Sequence, residues 1–322
     1  MAKVRFGILS TANIARKSLI PAMKRAENAE VVAVASESGK AEAFAAELDI
    51  PKFYNSYKDL LNDPDIDAVY IPLPNQLHKE WAIEAAKAGK HVLCEKPAAL
   101  TSQEVEDIAE VFNQHNVLFM EAFMYQFHPQ HDRVKEIIAS GEIGDLKLIR
   151  STFSFAHDGD PTNIRLNREL GGGAIYDIGC YTIHASRLLA GEEPTDVKAS
   201  ATMHPEYGVD MTAAGTLTFP SGVLASFDCS FEQQYKAQYE AVGTNGSIFV
   251  KYAFRPDIED GNGTIEVSTT SEKRVETVQG DQYKLQVEHF AEAVLTGKQL
   301  KYSIEETIKN MRVIERALKQ VR

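Results

Sequence analysis

Through its first 120 residues the chain alternates short, β-branched apolar runs with longer amphipathic segments, and few folds tolerate that rhythm. The pattern predicts strands at 4–9, 31–35, 68–71, 91–94 and 117–121, and helices at 13–26, 40–48, 59–62, 76–88 and 102–115. Strands that are apolar almost throughout must be covered on both faces. Joined by helical crossovers, they run parallel in one sheet. The expected fold of this part is α/β, a doubly wound parallel sheet of the Rossmann-like, nucleotide-binding kind.

After residue 122 the texture changes. Helices are predicted at 134–139 and 177–189, but strand signals dominate, at 146–155, 197–204, 211–219, 222–231, 239–242, 247–252 and 264–269. Turn signals such as Pro220-Ser221-Gly222 and Thr244-Asn245-Gly246 join several of them. Runs of strands with few crossover helices indicate an α+β domain with a large, mostly antiparallel open sheet. Helices at 282–295 and 304–319 close the chain. A length of 322 residues suits two domains, expected at 1–122 and 123–322, with the C-terminal helix able to pack back on the first.

The formal net charge of -12 argues against nucleic acid or an anionic membrane as partner, since both need a basic face. Cys94, Cys180 and Cys229 are widely spaced and form no metal-type pair, which suits reduced thiols in a cytoplasm. Lys3, Arg5 and the following apolar run faintly imitate a secretory signal, but the run breaks at Ser10-Thr11 and enters a helix. No stretch approaches the roughly 20 apolar residues that span a bilayer.

In an open parallel sheet, ligands bind beyond the carboxyl ends of the strands. Three turns are therefore candidates. The first, Ser10-Thr11-Ala12-Asn13-Ile14-Ala15, keeps the spacing of a dinucleotide fingerprint while Ser or Ala replaces each glycine. The second, Ser36-Glu37-Ser38, stands where an adenosine ribose is read. Glu37 favours the free hydroxyl of NAD, or else points to water; Ser36 can hydrogen-bond either group, and Lys40 or Arg16 suits the phosphate of NADP, so the cofactor is NAD or NADP. The third, Glu95-Lys96-Pro97, delivers a lysine to the sheet edge. Its X–Pro bond is a candidate for the cis form.

Four segments in order resemble the glucose–fructose oxidoreductase/inositol dehydrogenase (Gfo/Idh/MocA) family. They are Ile71-Pro72-Leu73-Pro74-Asn75-Gln76-Leu77-His78, the Glu95-Lys96-Pro97 turn, Met120-Glu121-Ala122-Phe123-Met124-Tyr125, and Gly171-Gly172-Gly173 running through Asp177 to Tyr181. The branch most resembled is that of dimeric dihydrodiol dehydrogenases, D-xylose dehydrogenases and glucose–fructose oxidoreductase. The resemblance implies that Lys96 is the active-site lysine, near substrate and nicotinamide ribose. It implies that Tyr181 is the acid/base and Asp177 the accompanying acid. It also implies a homodimer or homotetramer built through the C-terminal sheet. Two departures stand out: the lost glycines, and Gln126 and Glu37 where this branch favours arginine.

The chemistry suits these residues. Taking a proton from a sugar hydroxyl near neutral pH needs a base, and tyrosine, with a reference pKa of about 10, is too weak an acid alone. A nearby ammonium lowers that by roughly one to three units, so Lys96 and Tyr181 make sense as a pair from two domains, with the active site expected in the cleft between them. Helical spacing puts Asp177, Tyr181 and His184 on one face, where the alternative is an amphipathic packing surface. Asn163 and Arg165 are placed to bind sugar hydroxyls or to lie in a solvated loop. Pro72, Asn75 and Glu95 are expected to contact the cofactor, Asn75 at its nicotinamide half, and His78 to touch cofactor or substrate, with helix capping as its alternative.

His128 and His131 are three apart but have no completing ligand, so no metal is expected. The reading is an NAD(P)-dependent oxidoreductase acting on a sugar, polyol or cyclic diol. Its rival is a non-catalytic cofactor-binding sensor or transcriptional co-regulator on the same scaffold.

Overall fold

The alternating half of the sequence folds as its pattern dictates. In the computed structural model, which describes residues 2–322, six strands form one sheet in the order β3-β2-β1-β4-β5-β6. They are β1 (Val4–Leu9), β2 (Ala29–Ala35), β3 (Lys52–Tyr54), β4 (Ala68–Ile71), β5 (His91–Cys94) and β6 (Phe119–Glu121), and every pairing is parallel. The connecting helices are α1 (Ile20–Arg25), α2 (Ala41–Glu47), α3 (Tyr57–Leu61), α4 (Asn75–Lys87) and α5 (Ser102–His115). All four residues of β4 are buried, as a strand covered on both faces must be. The strand order reverses between β1 and β4, which makes the carboxyl ends of β1, β4 and β5 the place for a ligand.

The chain forms two compact units, Met1–Met124 with Tyr283–Ile308, and Tyr125–Gln282 with Lys309–Arg322. This differs from a single break at 122, because most of α8 (Gln282–Thr296) belongs with the first sheet. There Phe290 packs on Phe6 of β1 with ring centroids 5.9 Å apart, and Asn28 Nδ2 donates to the Glu288 carbonyl at 2.8 Å. The last helix, α9 (Ile304–Val321), divides between the units at Ile308 and Lys309.

The second unit is built on eight strands in the order β14-β13-β12-β11-β7-β10-β9-β8. Along the chain come α6 (Pro129–Ala139), β7 (Leu146–Ala156), α7 (Cys180–Ala190), β8 (Asp196–Met203), β9 (Asp210–Thr218), β10 (Leu224–Ser230) and β11 (Glu232–Gly243). β12 (Gly246–Val250), β13 (Asn262–Thr269) and β14 (Lys273–Gln279) complete the sheet. All pairings are antiparallel except β7 with β10.

Ile149, Phe153, Ala225 and Phe227 are buried on the face that receives α7, while Arg150, Thr152, Ser226 and Asp228 alternate onto the other face. Two strands, β3 and β14, are absent from the sequence expectation: three residues carry little pattern, and β14 alternates charge with exposed Val275. No helix among the described residues is long and apolar enough to cross a membrane.

Candidate active site

The turn after β1 does with serine what a glycine usually does. Ser10 has φ of 127°, a region that favours glycine, and its N–H donates to the Ala35 carbonyl at 2.9 Å. Its hydroxyl accepts from Ala12 N–H at 3.0 Å, which fixes the bend. Ile14 then leads into a π-helical turn, Ala15–Leu19, before α1 begins; such turns are rare and concentrate at functional sites.

A cavity of about 480 Å³ opens beside this turn, lined by Thr11, Ala12, Asn13, Arg16, Lys40 and Phe44 among others. Small residues, an accessible turn and two flanking cations fit the phosphates of a dinucleotide. Arg16 is partly committed: it pairs with Glu47 at 2.8 Å and stacks over Phe44 at 5.0 Å. Ser36 is buried at the end of β2 with its hydroxyl 2.9 Å from that of Ser38, and Glu37 is exposed.

At the β4 and β5 ends, Pro72 is buried and Asn75 opens α4. His78 is fully buried, one ring nitrogen 2.7 Å from the Leu73 carbonyl and the other 2.9 Å from that of Pro97. Burial pushes this imidazole down to about 4, against the pull of the two carbonyls. It ties two loops together, so any influence on a cofactor passes through them. Glu95 accepts from the Tyr70 hydroxyl at 2.5 Å, and the half-buried Lys96 follows with a cis bond to Pro97.

The second unit brings together Arg165, Asp177 and Tyr181. Asp177 lies in another π-helical turn, Ile175–Gly179, immediately before α7, and accepts from Arg165 Nε at 2.6 Å. The turn is anchored by buried Asp210, whose carboxylate accepts from Ile175 N–H at 2.7 Å and pairs with Arg322 at 2.7 Å. Gly173, at φ of 113°, passes so close that a Cβ there would collide with Asp210 Oδ1. Asn163 spends its carbonyl oxygen on Arg165 N–H at 3.1 Å. The Asp177 charge, more than its opposing burial, raises the Arg165 guanidinium above its ordinary range, with Tyr181 and Asp158 adding to it.

Tyr181 is 5% exposed, and its ring lies 5.4 Å from Phe153, 5.6 Å from Phe254 and 5.8 Å from Tyr125. His184 turns into this aromatic cluster, 2.5 Å from the Tyr125 hydroxyl, and burial pushes it well below its usual pKa. Sequence reasoning missed this enclosure. Its one signal is the alternation of Phe153 and Phe155 along β7. His128 and His131 each face a backbone carbonyl, and among the described residues no His, Cys, Asp and Glu cluster could hold a metal.

Comparisons with known proteins agree with this architecture. Residues 4–123 match the family model for an oxidoreductase family with an NAD-binding Rossmann fold, and residues 131–249 match that of the GFO/IDH/MocA C-terminal domain. A D-xylose 1-dehydrogenase (NADP(+)) from Haloferax volcanii is 40% identical over 314 residues, covering 96% of this chain and 95% of the relative. A trans-1,2-dihydrobenzene-1,2-diol dehydrogenase from Xenopus laevis is 35% identical over 251 residues, 76% of this chain and 74% of its own.

Among solved structures, KijD10, a 3-ketoreductase from Actinomadura kijaniata in complex with NADP and TDP-benzene, superposes with a TM-score of 0.93 at 29% identity, covering 99% of this chain and 98% of the other. These relatives are named for catalysis, and the sensor reading finds no support among them. The chain belongs to the Gfo/Idh/MocA family and is an NAD(P)-dependent oxidoreductase.

Proposed function

We propose that the protein interconverts a hydroxyl and a carbonyl on a sugar, polyol or cyclic diol, with Lys96 and Tyr181 moving the proton. The observation that carries this reading is the setting of Tyr181, a nearly buried phenol beside the Arg165–Asp177 pair. A phenolate there gains from the guanidinium. In oxidation Tyr181 takes the hydroxyl proton; in reduction it returns the proton while Lys96 polarises the carbonyl oxygen. The nicotinamide, when bound, supplies hydride transfer.

Ser10, Thr11, Ala12, Asn13 and Ile14 would hold the pyrophosphate, Ser36 and Glu37 the adenosine ribose, and Pro72, Asn75 and Glu95 the nicotinamide half, with His78 acting through its loops. Asn163, Arg165 and Asp177 would face substrate, and His184 would steady the Tyr125 ring beside it.

NADP is the preferred cofactor in this reading. Lys40 and Arg16 flank the cavity, Ser36 and Ser38 offer hydroxyls, and the Haloferax and Actinomadura relatives are described with NADP. The polar sheet face bearing Arg150, Thr152, Ser226 and Asp228 is the proposed contact of a homodimer or homotetramer. Three free, buried thiols suit the cytoplasm as the compartment.

The test is a panel of aldoses, inositols and dihydrodiols with both cofactors, followed at about 340 nm where reduced nicotinamide absorbs. Lys96→Met and Tyr181→Phe should each lower kcat by about 10²–10⁴-fold. Silence across the panel would refute the substrate class, and wild-type turnover in either variant would refute the residue's role.

A further inference from the structure

Two buried side chains grip the backbone immediately after Lys96. The first is His78 of α4, whose Nδ1 lies 2.9 Å from the Pro97 carbonyl. The second is Glu121 of β6, whose Oε1 accepts the Ala98 N–H at 2.8 Å. Residues 97 and 98 are thereby held from both sides, by groups 0% and 2% exposed. The β5–β6 register makes this possible, because Glu121 pairs with Cys94, the last residue of β5.

Neither grip is what packing alone would select. The same His78 ring faces the Leu73 carbonyl at 2.7 Å, so it meets two acceptors, while a neutral imidazole has one N–H to give. Burial and the charge of Lys96 both hold that ring neutral. Glu121 is a carboxyl inside a strand, where burial raises it from 4.5 to about 7.

Ala98 N–H, the Thr307 and Tyr302 hydroxyls and the charge of Lys96 all favour its ionised form. Its Oε2 still makes no hydrogen bond of ordinary geometry. Cys94 feels its charge as well. A buried carboxylate carries a desolvation cost that a leucine would avoid, and a glutamine would satisfy Ala98 without charge. What glutamate alone offers is a negative charge coupled to Lys96.

We propose that His78 and Glu121 are positioning residues that clasp the Pro97–Ala98 segment and so aim Lys96, with the Glu121 carboxylate as its countercharge. This rests on the proposed role of Lys96, and the experiment separates the two. In the cofactor-free protein, the Ala98 amide proton resonance should titrate with a midpoint near pH 7 and be flat in Glu121→Gln. An amide that does not titrate, or titrates identically in the variant, overturns the countercharge.

In turnover, Glu121→Gln should lower kcat about 10-fold with cofactor KM changed less than about 2-fold, and should alter the pH profile of kcat/KM near 7. His78→Asn, which keeps a donor at the Nδ1 position, should retain kcat within about 3-fold, whereas His78→Gln should lose about 10-fold. Equal losses in the two His78 variants, or a Glu121→Gln profile superimposable on wild type, refute the clasp. If Lys96→Met turns over normally, the lysine's role fails while the Ala98 titration still decides the countercharge. If Lys96→Met is inactive but the clasp variants behave as wild type, the clasp alone fails.

Discussion

Lys96 and Tyr181 are fixed by opposite means. Lys96 stands on a loop beyond a strand end, where the backbone is held by polar contacts, through His78 on Pro97 and Glu121 on Ala98. Tyr181 stands near the start of a helix, where the side chain itself is enclosed by Phe153, Phe254 and Tyr125. A loop has no intrinsic ladder of hydrogen bonds, so its direction must come from buried side chains that supply one. A helix needs no such help, and packing suffices to set the ring. Errors in the first site should therefore appear as lost turnover with the fold retained, and errors in the second as lost stability.

The largest expected effect asks whether the two sites serve one step. The double variant Lys96→Met/Tyr181→Phe should be no slower than the worse single variant, within about 10-fold, because groups acting as a unit are not additive. Fully additive losses would mean two independent roles. Next in size, Phe254→Ala should cost about 3–5 kcal/mol in denaturant unfolding, as it removes a fully buried ring stacked 5.4 Å from Phe153. A loss under about 1 kcal/mol would show that the cage does not depend on that ring.

A smaller effect follows from protonation. Glu121, raised from 4.5 to about 7 on folding, contributes stability that is present below 4.5 and lost as pH rises through 7. His78, lowered from 6.5 to about 4, contributes stability that is present above 6.5 and lost as pH falls through 4. Between 4.5 and 6.5 the two oppose each other, so their joint slope in the wild type is shallow.

Glu121→Gln removes one arm, and unfolding free energy should then climb with pH by up to about 1.4 kcal/mol per unit, read from urea midpoints. Parallel wild-type and variant curves would deny the coupling of Glu121 to folding, and a flat variant curve would deny that of His78. The smallest effect concerns the cofactor: Lys40→Glu should shift preference from NADP toward NAD by about 5-fold, a surface charge being well screened. An unchanged ratio would remove Lys40 from the phosphate site.

The parallel sheet was legible because its strands are continuous apolar runs, and β4 and β5 have the bounds their sequences predict. Charged β14 hid because an edge strand need bury only one side. β11 extends seven residues earlier than its pattern, since Glu232 to Lys236 are exposed and offer no apolar alternation. Lys96, Asp177 and Tyr181 stood out as motif residues. The contacts that hold them did not, because the Glu121–Ala98 bond depends on strand register and the Arg165–Asp177 pair on a loop's path. Both lie beyond what local spacing encodes. Ser10 is the instructive middle case: its position was readable, its left-handed backbone was not.

The return of Tyr283–Ile308 to the first unit has a consequence for how the chain is made. On the ribosome the six parallel strands emerge early, yet Phe6 must wait for Phe290 to complete its packing. At roughly 5–20 residues per second, the interval between β6 and Ile308 lasts on the order of 10 to 40 s. Through that time the nascent sheet exposes an apolar flank that a holding chaperone could recognise. β1 is synthesised before the other strands and is among the last to be fully covered.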